Sequence, residues 1–434
     1  MGKNGRLLAE LLLTLQFRRD PLYLKSLNAD DGLACLVSMF GLFGKPSHKK
    51  FAQIVADAAK QAGVTDELTF QEADFSLRHA KGIFSLGNLY DDYCAADREH
   101  KRTLLDNFVS AMVDRNSSVT RDEAFENCVA VIRERALFAF MDLRSQLESM
   151  KPAAVAFEPV SDWFVRSIVI DAPGFMKMVT RDHLSEWNVT FDELFEAGME
   201  RLRDCTPAKF AEQDGYFVGQ WKDDYDSSRI LVPELFEDLP VEGQPVFCTP
   251  NRLTLLVADS SDERSVVAML TKAEEITRSE PRPYNPAPLT YASGELVDFE
   301  VSENSPVYPA LQRVKTLTHL GYSDEQKELL EALHKKLGKD IFIAKFTMYE
   351  LKSGGYLSMS VWSKGVVTLL PKTDVIMFFD GNKTEVERMV AVKWEDAQTV
   401  VGDLMLDAGM CPPRFYVSKF PSEEQLAEMP RQQV

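Results

Sequence analysis

Residues 221–231, WKDDYDSSRIL, gather the side chains of this chain with the most evident chemical capacity. Asp223, Asp224 and Asp226 offer hard oxygen donors, Ser227 and Ser228 offer hydroxyls, and Arg229 carries a planar fork of N–H donors. Asp259 and Asp262 follow further along. Carboxylates meeting at one point would make an oxygen-rich site for magnesium or calcium and support a metal-dependent hydrolase. The spacing is not that of an EF-hand loop, which needs glycine at its sixth position and glutamate at its twelfth. Aspartate and serine are also the residues that close turns and cap helices, because their oxygens accept orphan backbone N–H groups. The aromatic run GYFVGQW, residues 215–221, ends just before the knot, so the chain must change direction there. We therefore expect a turn, in which solvent and Arg229 offset the repulsion among the aspartates. Tyr225, Asp226, Ser228 and Arg229 form the candidate binding or structural motif. The deciding geometry is whether Asp226, Asp259 and Asp262 converge on a common pocket or each caps its own backbone.

Elsewhere the pattern names no catalytic residue, no metal ligand and no cofactor. The six histidines, His48, His79, His100, His183, His319 and His334, show neither H-x-x-x-H nor H-E-x-x-H spacing. There is no G-x-S-x-G elbow, no G-x-x-x-x-G-K-[ST] loop and no G-x-G-x-x-G between a strand and a helix. Six scattered cysteines form no C-x-x-C pair and read as free thiols in a reducing cytosol. In the last third, Trp362, Lys364, Lys372 and Asp374 stand beside strand segments, with Trp394 near another. Aromatic and cationic groups together can bind an anionic ligand or an acidic protein face. The bland reading of the same residues is an ordinary sheet rim around a buried tryptophan.

The net charge of −18 and a pI near 4.9 disfavour nucleic acid as a partner, since its binding rests on Lys and Arg neutralising phosphates. A protein partner remains open. Residues 33–43 are apolar but span only about 16 Å as a helix, too short for a bilayer. The first residues show no clear cleavage site and no acylation pattern. We expect a cytoplasmic protein with no membrane insertion.

These residues must be positioned by an α+β framework. With 434 residues the chain is long enough for two or three domains. Residues 1–60 read as a helical arm, with Leu8, Leu11, Leu12 and Leu15 on one face and Phe51, Ile54, Val55 and Ala58 on another. From 61 to 278 strands alternate with helices. A hairpin-like pair of strands precedes a helix lined by Leu104, Leu105, Phe108, Val109 and Met112. Two strands come before a helix opened by a Thr190/Glu193 capping box, and a third strand before one opened by Ser260/Glu263. That order implies helices laid on a sheet. Residues 279–309 hold six prolines and are expected to be an extended, protease-sensitive linker. Residues 310–425 read as a separate α+β domain. Its helix is opened by Ser323/Gln326 and stopped by Gly338, and a hairpin turn lies at Ser353, Gly354 and Gly355. Residues 426–434 are expected to fray.

The segment DGYFVGQWKDDYDSSRIL resembles a family of uncharacterised bacterial proteins, the YtpQ-like family, in an aromatic strand followed by Tyr-Asp-x-Ser-Arg-Ile-Leu. The similarity continues through RLTLLVAD and the helix after it and covers roughly residues 50–278. Tyr225, Asp226, Ser228, Arg229, Ile230 and Leu231 fit the motif. The segment departs from it at Pro233, where family members continue as a helix. The resemblance implies a bacterial source, and the family has no established activity to carry over. With it, the sequence points to a non-enzymatic binding or adaptor protein. The alternative is a metal-dependent hydrolase using aspartates near 223–226 and 259–262.

Overall fold

A computed structural model of the chain describes residues 45–64, 67–72, 75–79, 82–114, 119–172, 175–279, 284–351, 356–384 and 389–432. Most of the expected helical arm, the Ser353–Gly355 turn and the last two residues of the tail lie outside them; the rest of that tail is not frayed as expected, since Leu426 and Met429 are buried and Gln432 N–H donates to Ala391 O at 2.9 Å. The framework is α+β.

The first described element is the helix His48–Gln61, capped by Ser47, whose Oγ accepts from Lys50 N–H at 3.3 Å. It packs on an antiparallel meander of Thr69–Gln71, Ser76–His79 and Gly82–Ser85, three strands where a pair was expected. The helix Arg98–Asp114 closes this small core through Val109 and Met112.

The central unit is two sheets sharing one apolar core. In one, the strand Cys128–Glu134, buried at every residue, pairs antiparallel with Phe164–Ala172, Val131 facing Ser167. In the other, six antiparallel strands run in the order Glu295–Asp298, Leu289–Ala292, Pro245–Asn251, Thr254–Asp259, Tyr216–Gly219, Phe210–Gln213. Val129, Ile168, Phe247 and Val257 meet between them. The capping box at Thr190 and Glu193 forms as the pattern predicts and opens the helix Phe191–Asp204. That helix lies on Cys128–Glu134 at Gly198, where an added Cβ would stand 2.7 Å from Ala130 N. Backbone cannot yield as a flexible side chain can, so Gly198→Ala is expected to cost about 1–3 kcal/mol, read as a lower urea midpoint at unchanged slope.

Three expectations are corrected here. Residues 289–298 are not linker. They form an edge hairpin of the six-stranded sheet, with Val246 facing Thr290, and Tyr284, Asn285 and Ala287 before them are buried. Proline suits this approach because residues 284–288 run without ladder bonds, where its missing donor costs nothing. The helix expected to begin at Ser323 begins at Tyr308 and runs to Leu337, where Gly338 ends it in the left-handed region (φ 64°). Its first half shares a core with the six-stranded sheet through Val307, Leu311 and Val314, and its second half packs on the helix Arg135–Leu147. The C-terminal unit is therefore docked on the central one rather than hung from a free joint. Finally, no Ser260/Glu263 box forms. The helix starts at Glu263, Asp262 accepts from Arg264 N–H at 3.1 Å, and Ser260 Oγ accepts from Gln244 N–H at 2.8 Å.

The C-terminal unit holds two four-stranded sheets. One is ordered Phe342–Ile343, Thr368–Pro371, Arg414–Val417, Leu406–Asp407. The other is ordered Thr347–Glu350, Tyr356–Ser363, Val375–Phe379, Met389–Lys393. Trp362, Phe378, Val392 and Trp394 fill its core.

Candidate functional site

The segment after the aromatic strand is a buried 3-10 helix, Asp226–Leu231, not an exposed turn. A second short 3-10 helix, Pro233–Phe236, follows, and Pro233 sits in its first turn, where a missing N–H is tolerated. Lys222 (φ 55°) and Asp224 (φ 70°) take left-handed conformations that turn the chain inward. Asp226, Ser227, Ser228 and Arg229 are all inaccessible to solvent. Asp226 accepts from Lys222 N–H at 3.1 Å and Asp223 N–H at 3.2 Å, which closes the loop. Burial pushes its carboxyl upward, and those two backbone bonds oppose the rise. Ser228 Oγ accepts from Ile132 N–H at 3.3 Å, and the Tyr291 hydroxyl donates to Ile230 O at 2.6 Å. The motif is thus pinned to both sheets.

Arg229 is bonded around its whole fork. It donates to Asp223 Oδ1 at 2.7 Å and Oδ2 at 2.6 Å, to Thr206 Oγ1 at 3.1 Å and to Cys205 O at 3.1 Å. The Trp221 ring lies 4.5 Å from its guanidinium carbon. Burial raises the Asp223 carboxyl, but its bonds with Arg229 more than reverse this, so it lies below the ordinary value.

The aspartates do not converge. Asp259 accepts from Glu242 N–H at 2.8 Å, Gly243 N–H at 2.9 Å and Ser261 N–H at 2.8 Å, while Asp262 caps its own helix. Among the described residues no group of three or more His, Cys, Asp or Glu side chains could hold a metal ion.

The C-terminal residues do not form a joint surface site. Trp362 is buried in the core, 5.3 Å from the Phe378 ring centroid. Lys364 pairs with Asp380 at 2.7 Å, and Asp374 accepts from Ser358 N–H and Oγ–H, both at 2.7 Å. Lys372 contributes its backbone N–H to Pro413 O. Alternation along the strand puts Trp362 inside, as the bland reading had it.

Two features escaped the sequence reading. One is a cavity of about 300 Å³ between the helix Glu263–Ser279, the long helix and the C-terminal unit. Glu274, Arg313, Glu350 and Tyr356 line it beside Leu270 and Val314, and Glu274 is held by Arg278 at 2.8 Å and Arg313 at 2.5 Å. The other is a pair of arginines at the edge of the motif. Arg133, 2% exposed, comes from the buried strand Cys128–Glu134. Arg252 comes from the turn joining two strands of the larger sheet, where its carbonyl accepts from Ser227 N–H at 3.4 Å. Tyr225 and Tyr284 lie beside them, Tyr284 held by its N–H to Pro250 O at 2.7 Å. An arginine inside the run CVAVIRE is the sequence signal that was available, since a charge in a continuous apolar strand must be buried against something.

No family model, curated protein or solved structure matches this chain. Among the described residues no helix is long and apolar enough to cross a membrane.

Proposed function

We propose that the chain is a non-enzymatic binding or adaptor protein of the bacterial cytosol, related to the YtpQ-like family, with a protein or small ligand rather than nucleic acid as its partner. The observation that carries this reading is the engagement of the aspartates. Asp226 and Asp259 accept two or more backbone N–H bonds each, Asp262 caps a helix, and Asp223 is gripped by Arg229. None is left facing a point where a cation could activate water. The cytosolic setting is supported by the free thiols of Cys94, Cys128, Cys205, Cys248 and Cys411. Calorimetric titration with calcium, magnesium and manganese, run beside a metal-supplemented phosphodiester hydrolysis assay, tests the reading. The expected result is no stoichiometric heat and no turnover above background. One-to-one metal binding or turnover that disappears in Asp226→Asn would overturn it and restore the hydrolase.

A further inference from the structure

We infer that the central unit binds a small oxyanion, a carboxylate or a phosphate group, between Arg133 and Arg252 beside the hydroxyls of Tyr225 and Tyr284. This inference rests on the binding-protein reading and names the class of ligand. Its basis is a contrast among the buried arginines of the same chain. Arg229 has a forked carboxylate, a hydroxyl, a carbonyl and an indole face. Arg414, equally buried, donates to Gln326 Oε1 and to the carbonyls of Ala344, Leu369 and Ser323. Arg133 has neither kind of enclosure. It donates to the adjacent Ile132 O at 2.8 Å and reaches Met176 Sδ at 3.9 Å, and among the described residues it makes no ion pair. A guanidinium taken out of water without a counter-charge is strongly disfavoured, so such groups are paired or hold a ligand.

The second guanidinium adds to the imbalance. The 3-10 helix brings it near the first, since Ser228 Oγ accepts from Ile132 N–H at 3.3 Å, next to Arg133, while Ser227 N–H donates to Arg252 O at 3.4 Å. Arg252 Nε donates to the Tyr284 hydroxyl at 3.4 Å, and its nearest carboxylate is Asp224, 4.0 Å away and 45% exposed. Asp171 acts on the Tyr225 hydroxyl. Arg252 thus has one loosely held carboxylate and Arg133 none, and the Tyr284 hydroxyl, which accepts from Arg252, keeps its O–H to donate. Planar forks of this kind match the two-oxygen edge of a carboxylate or phosphate. Arg252 is one-third exposed, whereas Arg133 is buried.

The test is calorimetric titration of the full chain with inorganic phosphate and, separately, with succinate, sodium chloride serving as the control at equal ionic strength. Saturable one-to-one heat is expected from at least one of the two, and which one responds separates the phosphate from the carboxylate source. Arg252→Ala, a change at a partly exposed side chain, is expected to weaken that binding on the order of tenfold or more. Arg133→Met removes the buried charge and is expected to abolish the response while raising the melting temperature in anion-free buffer. If that variant fails to fold, Arg252→Ala decides alone. Silence toward both anions, or equal affinity in Arg252→Ala, overturns the site. Either result leaves the metal titration, and the binding-protein reading it tests, standing separately.

Discussion

Arg229→Ala is expected to lower the stability of the chain by about 3–5 kcal/mol, because it strands a forked partner and empties a fully enclosed pocket. At roughly 2–4 °C per kcal/mol for units of this size, the melting temperature falls on the order of 10 °C. The effect is large for a specific reason. Alanine removes the cation that pairs with Asp223, leaves Thr206 Oγ1 and Cys205 O without their donor, and takes away the group stacked on Trp221. A cavity of guanidinium size adds to these losses. Arg229→Lys is expected to fall between, since an ammonium cannot hold both Asp223 oxygens and the Cys205 carbonyl in one plane. Asp223→Asn leaves the fully buried Arg229 guanidinium without its paired carboxylate, and it is expected to cost less than Arg229→Ala only because the amide keeps one acceptor oxygen and opens no cavity. Scanning calorimetry of the three variants reads the order directly. A shift of only about 2 °C for Arg229→Ala would mean that the pocket relaxes around its loss and that the arginine is not what holds the motif.

How much of this was legible depends on how far apart the partners lie. Asp223 and Arg229 are six residues apart, and a charge-assisted pairing between them is readable from local chemistry. The burial that makes it decisive is not readable, because Thr206 and Cys205 come from the end of a helix and Ile132 from a strand nearly a hundred residues away. Capping boxes show the same limit. Thr190/Glu193 and Ser323/Gln326 have the same pattern, yet only the first caps a helix. Gln326 instead accepts from Arg414 and donates to Pro412 O, partners that no spacing rule could supply. The strand Cys128–Glu134 carries no alternation because both of its faces are covered, so it has no period to detect. Arg133, Arg252 and Tyr284 come together only through the pairing of sheets, which is why the anion site was invisible while the aspartate knot was conspicuous.

The second large effect belongs to Glu134, one residue beyond Arg133. Burial pushes its carboxyl up to about 7 from an ordinary 4.5. Bonds from the Tyr322 hydroxyl and Asn285 N–H oppose that rise, and the charge of Glu325 adds to it. Cys411 also faces Glu134, but burial drives its thiol up to about 12, outside the window that matters. Between pH 4.5 and 7 the folded chain therefore binds more protons at this site than the unfolded chain does. Stability from Glu134 is fully present below 4.5 and is lost as pH rises through 7, a fall of about 3 kcal/mol. Half-buried His319 slopes the other way. Burial brings it down to about 3, with Arg414 and Lys372 adding to the fall, so its contribution is lost as pH drops below its ordinary 6.5. The two partly cancel in the wild-type curve, so the readable quantity is a difference. Glu134→Gln keeps an acceptor oxygen for Tyr322 and Asn285 and carries no charge. Its stability relative to wild type is expected to be near zero at pH 4.5 and to rise to about 3 kcal/mol in its favour by pH 8. Urea unfolding of both proteins at half-unit steps of pH measures this. Parallel curves would show that Glu134 stays protonated across the range or is solvated. A variant less stable at every pH would mean that the ionised carboxylate is what holds Tyr322 and Asn285 in place.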